Sequence, residues 1–385
     1  MKYLGSVLLY GLNAAFVFFC VKYARLYRDK KHIYYLLILL AVFVPSVLGG
    51  IRYGIGTDYF VRYLPDYQIL ENDLWGKTRV EFGFELIGRI TVLFDLGFQF
   101  MLFIVQLLTN GFILAALMRY EKEIDPELGM FFYMLLYYQC SYNLVRQCFS
   151  MAIVFYALRY VEERKLLKFL LVCAIAATIH LSSFVVFFVY FLEAVWTRKK
   201  YRYIKWIVFA LLLSIIFFFE PIFNMLNKFL PIDYYSRYIT DSHIEDISAY
   251  FFIKWFFYLV PGTAIILYRN RGNKEVDPPY LKRYRFFLAY TICGFLLSIT
   301  SYMESKHEGL NAFFRISYYF NMGLIYLIPR QCKLTSTRLK FQGLKQKVKL
   351  FSTMAVVFML VIWYYEYFVR GQSMTVPYQS IFSVS

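Results

Sequence analysis

The sequence predicts an all-α polytopic membrane protein, with about twelve transmembrane helices and one interfacial helix in a single integral membrane domain over residues 1–385. Three observations predict it. Apolar residues make up 60% of the 385-residue chain and charged residues only 17%, with a mean hydropathy of +0.51; a soluble core does not need that much apolar surface. Apolar runs recur at roughly the length that crosses ~30 Å of hydrocarbon. Lysine and arginine collect in alternate loops.

The runs lie at 3–21, 33–50, 98–118, 128–142, 145–161, 169–181, 183–196, 206–226, 251–268, 286–300, 315–329 and 350–368. The first is too long for a signal-peptide core and lacks a small-residue cleavage site, so it is expected to remain as a span. Residues 128–161 would make a helix of about 51 Å, too long for one crossing. A break near Ser141-Tyr142-Asn143 gives two spans. Residues 169–196 read as two short spans or as one tilted helix. Joining both pairs would carry 162–168 outside and bury Arg146 and His180 at mid-depth, whereas Arg159, Arg164, Lys165 and Lys168 favour the split. The stretch 81–95 holds Glu81, Glu85, Arg89 and Asp95, too polar to cross. It is expected as an interfacial or re-entrant helix on the outer face.

Twelve crossings put both termini on one side. Six loops (22–31, 119–122, 159–168, 198–205, 269–285 and 330–349) hold 29 of the 42 Lys and Arg residues. The positive-inside rule makes that side cytoplasmic and both termini external. The net charge of +17 is then a topology signal, with attraction to anionic lipid of the bilayer, and not a nucleic-acid footprint. Cys20, Cys140, Cys148, Cys173, Cys293 and Cys332 show no CxxC or His-paired spacing, and the four histidines are isolated. Neither a metal nor a cofactor is expected.

This topology gathers Arg52, Asp58, Arg62, Glu81, Glu85, Arg146, His180, Arg237, Asp241, His243, Glu304, His307 and Arg315 on the outer face. Any one of them reads as a snorkelling anchor. Three arginines and a histidine at the ends of separate spans point jointly to a polar cavity. Within Ile51-Arg52-Tyr53-Gly54-Ile55-Gly56-Thr57-Asp58-Tyr59, the glycines admit close backbone approach and an anion-binding nest. Arginine grips phosphate oxygens bidentately. Asp58 stands either as a proton acceptor or as the ion-pair partner of Arg52 or Arg62. Tyr53, Tyr59, Tyr63, Tyr318 and Tyr319 offer faces for sugar rings, although an interfacial aromatic belt explains most tyrosines.

A wider set of fragments joins that loop: Glu81-Phe82-Gly83-Phe84, Val145-Arg146-Gln147, Lys168-Phe169, Ile179-His180-Leu181-Ser182, Phe314-Arg315-Ile316-Ser317-Tyr318-Tyr319-Phe320 and Val376-Pro377-Tyr378. In this order the chain resembles the EpsG-like, Wzy-type polysaccharide polymerases of O-antigen, capsule and exopolysaccharide synthesis. The loops 228–250 and 269–285 match nothing in that pattern. The resemblance implies a multi-helical glycosyltransferase similar to the GT-C class in the bacterial plasma membrane. It would join undecaprenyl-diphosphate-linked oligosaccharides on the outer face without metal or nucleotide sugar, with a chain-length regulator as a candidate partner. It implies diphosphate contacts from Arg52, Arg62, Arg146 and Arg315, a base at Asp58 or His180, and support from Tyr59, Tyr63, Glu81, Gln147 and Tyr319. A ligase moving finished glycan to another acceptor would use the same donor. A flippase would need polar groups through its depth, and the runs 206–219, 286–300 and 350–365 contain no Lys, Arg, Asp or Glu.

Overall fold

The computed structural model describes residues 2–72, 78, 80–197, 203–204, 207, 279–303, 311–341 and 345–383. Among these residues the chain is helical between short connections, with one isolated antiparallel bridge, Arg52 to Ser380. Apart from Ile207, the expected spans 206–226 and 251–268 lie outside the described residues, as do Arg237, Asp241, His243, Glu304 and His307.

Helices α1 (Lys2–Leu26), α2 (Lys31–Gly50) and α5 (Gly97–Arg119) are long and apolar enough to cross a membrane. At 1.5 Å per residue each covers about 30 Å or more. The chain is therefore a helical membrane protein. Between α2 and α5 stand α3 (Leu64–Glu71), entered through a π turn at Tyr59–Tyr63, and α4 (Phe82–Leu93). Helix α4 is amphipathic: Phe82, Leu86, Ile90 and Leu93 are exposed, while Gly83, Phe84, Gly88 and Thr91 are buried. That spacing draws one apolar stripe down the helix, and Arg89 pairs with Glu85 at 3.4 Å.

The 128–161 stretch breaks where the polar triplet predicts. It comprises α6 (Pro126–Tyr133), a π turn (Met134–Tyr138) and α7 (Cys140–Asn143), followed by α8 (Val145–Glu162). Leu144 leaves helical geometry at φ −88°, ψ 50°. The 169–196 stretch is likewise interrupted. Helix α9 (Leu166–Ile179) stops before His180, and a 3₁₀ segment (Leu181–Phe188) leads into α10 (Val189–Thr197). Later come α11 (Pro279–Met303), α12 (Asn311–Asn321), α13 (Leu324–Phe341) and α14 (Lys345–Tyr364). The expected span 315–329 is thus divided between α12 and α13. The division falls at Gly323, where a Cβ would meet Thr291 Oγ1 at 2.2 Å. That crowding fixes a glycine, the weakest ordinary helix former, at the joint.

The described residues form two compact units: residues 1–160, 167–184 and 328–385, and residues 161–166 and 185–327. In the first, α1, α2, α5 and α6 pack together, and Tyr10 of α1 meets the rings of Tyr138, Tyr142 and Tyr378. Several polar groups inside it are bonded to one another. Tyr133 Oη donates to Asn110 Oδ1 at 3.0 Å, Asn110 Nδ2 to Ser46 Oγ at 3.0 Å, and Gln106 Nε2 to Ser141 Oγ at 2.8 Å. Such pairing offsets the cost of their burial. The tail then returns to the loop after α2. Tyr53 N donates to Gln379 O at 3.0 Å, Ile381 N to Ile51 O at 2.9 Å, and Tyr378 Oη to Leu48 O at 2.8 Å. In the second unit Phe287 stacks on Tyr326 at 4.1 Å, and buried Glu193 pairs with Lys282 at 3.4 Å and with Arg164.

Candidate functional site

The loop leaving α2 is built around a buried guanidinium. Arg52 is 1% exposed, with Nη1 donating to Gly49 O at 2.6 Å and Nη2 to Tyr142 O at 3.3 Å. Its carbon lies 4.7 Å from the centre of the Tyr142 ring. Burial lowers its pKa from the ordinary arginine value, against the influence of Tyr142 and neighbouring tyrosines. Two of its five N–H groups thus bond main-chain carbonyls, as a clamp between the end of α2 and the end of α7. Gly56 completes the clamp. It has φ +91°, and a Cβ there would stand 2.8 Å from Tyr142 O, the oxygen that Arg52 uses.

Asp58 follows, half-buried, at the mouth of the π turn. Its N–H donates to Asn143 Oδ1 at 3.1 Å, and Thr57 Oγ1 donates to the same oxygen at 2.7 Å. Tyr63 Oη donates to Asn143 O at 3.1 Å, and burial pushes the Tyr63 phenol up to about 12, so it remains a donor at neutral pH. Tyr59 is buried and receives a hydrogen bond from Gln99 Nε2 at 3.1 Å. Arg62 is half-buried on the same turn.

The second cluster is organised by one carboxylate. Glu81, immediately before α4, pairs through Oε2 with Arg146 on the first turn of α8. Through Oε1 it meets His180 Nδ1 at 2.9 Å and accepts from Leu181 N at 3.2 Å. Three segments distant in sequence therefore converge on one side chain. Burial alone would raise the Glu81 pKa, but the His180 hydrogen bond and the charges of Arg146 and His180 outweigh it and hold the group at about 2. An ionised carboxylate only accepts hydrogen bonds, so His180 Nδ1 must be the protonated nitrogen. When the ring is neutral, Nε2 then carries a lone pair. The arrangement is a carboxylate-oriented imidazole able to take a proton.

Arg52, Asp58, Tyr59, Arg62, Tyr63, Glu81, Arg146 and His180 all lie in the first unit, at the loop after α2, the π turn, the start of α4, the start of α8 and the end of α9. Gln147 is buried beside Arg146. Arg315 and Tyr319 lie one turn apart on α12 of the second unit; Tyr319 is buried, and its carbonyl accepts from Tyr290 Oη at 2.6 Å. Two residues go beyond the sequence expectation: Asn143 is a hub, and Glu81, expected as support, is the centre of its cluster. The signal for Asn143 was its place at the end of an over-long apolar run. For Glu81 it was a carboxylate opening an amphipathic helix.

No curated protein and no solved structure matches the chain. The family model described as the EpsG family matches residues 34–380, which takes in the loop after α2, Glu81, the α7–α8 joint, His180 and the returning tail. With nearly its whole length matched, the chain belongs to the EpsG family.

Proposed function

We propose that this protein joins polyprenyl-diphosphate-linked oligosaccharide repeat units, with undecaprenyl as the lipid, on the outer face of a bacterial plasma membrane. EpsG-family membership makes it a polysaccharide polymerase-type membrane protein. The proposal adds about twelve spans, a GT-C-like arrangement and external termini, supported by the sequence's apolar runs and its loop charge.

In the proposed reaction a hydroxyl of one repeat unit attacks the anomeric carbon of the growing chain. The anomeric C–O bond to the diphosphate breaks, the lipid diphosphate leaves with the electron pair, and the hydroxyl proton passes to a base. The leaving group is already anionic and stable, so its charge and the alignment of two sugars dominate the barrier. The observation that carries the reading is the shared Glu81 carboxylate, which orients His180 beside the cation of Arg146. His180 Nε2 takes the proton, and Glu81 steadies the imidazolium that forms. Asp58, on the neighbouring loop, is the second candidate base. Arg62 and Arg146 meet the diphosphate in the first unit, and Arg52 holds the backbone behind them. Replacement of Arg315 by alanine tests the sequence-based assignment on α12.

The test is purified protein in liposomes supplied with a lipid-diphosphate repeat unit. Wild type should build a polymer ladder, His180→Ala should lose it, and Asp58→Asn should retain it at reduced rate. A ladder from His180→Ala equal to wild type would assign the base elsewhere. Transfer of substrate across the bilayer without any ladder would refute polymerisation.

A further inference from the structure

We propose that Asn143 is a positioning residue that sets the Asp58–Tyr63 turn in register with Arg146, so that the loop after α2 and the start of α8 act as one piece. Its Oδ1 accepts from both the Thr57 hydroxyl at 2.7 Å and the Asp58 amide at 3.1 Å, and its main-chain carbonyl accepts from Tyr63 at 3.1 Å. It closes α7, and only Leu144, outside helical geometry, separates it from α8. Arg146 follows three residues later.

The amide orientation is fixed by chemistry. A main-chain N–H can only donate, so the atom facing Asp58 must be oxygen, and Nδ2 points the other way. Among the described residues Nδ2 has no hydrogen-bond partner. The positioning function therefore resides in an acceptor oxygen and two neighbouring groups that reach it. Gly56 lets this happen, because its missing side chain allows the loop to lie against Tyr142 O and the Asn143 Cα. A fault of about 1 Å in such alignment costs on the order of 100-fold in rate. Binding, spread over many contacts, changes less.

This inference rests on the polymerase reading, and its test separates the two. In the liposome assay, Asn143→Ala should lower kcat by ~10-fold or more, with KM for the lipid-linked repeat within ~3-fold of wild type. Asn143→Asp keeps the acceptor oxygen and should recover kcat to within ~3-fold of wild type. Thr57→Val, at an exposed side chain, removes one of the two bonds to Oδ1 without endangering folding, and should lower kcat about 3-fold. Normal kcat in Asn143→Ala or Thr57→Val overturns the inference, as does an Asn143→Asp variant as slow as Asn143→Ala. A wild-type protein that builds no polymer fails the polymerase reading instead.

Discussion

The two ends of the α2 helix bundle handle charge in opposite ways. Twenty helical residues of α2 separate them, about 30 Å. At the Lys31 end, Arg25 pairs with Glu127 at 2.6 Å and Asp125 at 3.6 Å, Arg28 with Glu121 at 2.5 Å, and Lys333 with Asp125 at 3.5 Å. Arg330 adds a bond to Glu123 O at 2.6 Å. Arg25 has two carboxylate partners there, and Asp125 has two cations. At the Gly50 end, Arg52 and Arg146 are almost fully buried, and a single carboxylate, Glu81, serves Arg146, His180 and the Leu181 amide. The first end is a redundant fastening. The second depends on one group, as expected where geometry matters more than adhesion.

Replacements should expose that contrast, and the largest effect belongs to the Gly50 end. Arg146→Ala leaves the Glu81 carboxylate without its cation and should cost about 3–5 kcal/mol in unfolding free energy, with loss of polymer. Arg146→Lys should rescue stability better than activity, because an ammonium lacks the planar fork. Next comes pH. The Glu81 pKa is depressed to about 2 in the folded protein, so its stabilising contribution is present above the ordinary carboxylate pKa of ~4.3 and is lost as pH falls toward 2. That contribution is on the order of 3 kcal/mol. Exchange protection of the Leu181 amide should weaken across this window in wild type and show no such step in Glu81→Gln. Gly56→Ala forces a side chain to φ +91° and against Tyr142 O, a cost of about 1–3 kcal/mol measurable by thermal melting. The smallest effect should come from the other end: Arg25→Ala, in a redundant pair, should change stability by no more than about 1 kcal/mol and leave the ladder intact.

Much of this contrast was legible in the sequence. The over-long run at 128–161 announced its own break, because no single helix of that length fits a bilayer, and Leu144 is where helical geometry ends. Glu81, Glu85, Arg89 and Asp95 marked 81–95 as a helix too polar to cross, and α4 there leaves Phe82, Leu86, Ile90 and Leu93 exposed. Arg146 and His180 stood out as charged groups at span ends. What stayed hidden was partnership. Nothing in one dimension joins Glu81 to Arg146 and His180 across 65 and 99 residues. The partners of Arg52 stayed hidden for a related reason. That it meets the Tyr142 carbonyl as well as that of Gly49 depends on the return of α7 from ninety residues away. The division of 315–329 depended on a close approach of α11 that hydropathy does not record.

The central claim is that Glu81 organises Arg146 and His180 for polymerisation. The most direct measurement is chain elongation by Glu81→Gln in liposomes, beside wild type, on a lipid-diphosphate repeat unit. Glutamine keeps the size and one acceptor oxygen but removes the charge that Arg146 and His180 share. The account predicts a rate at least ~100-fold below wild type in protein that remains folded and inserted. A Glu81→Gln ladder within ~3-fold of the wild-type rate would contradict it.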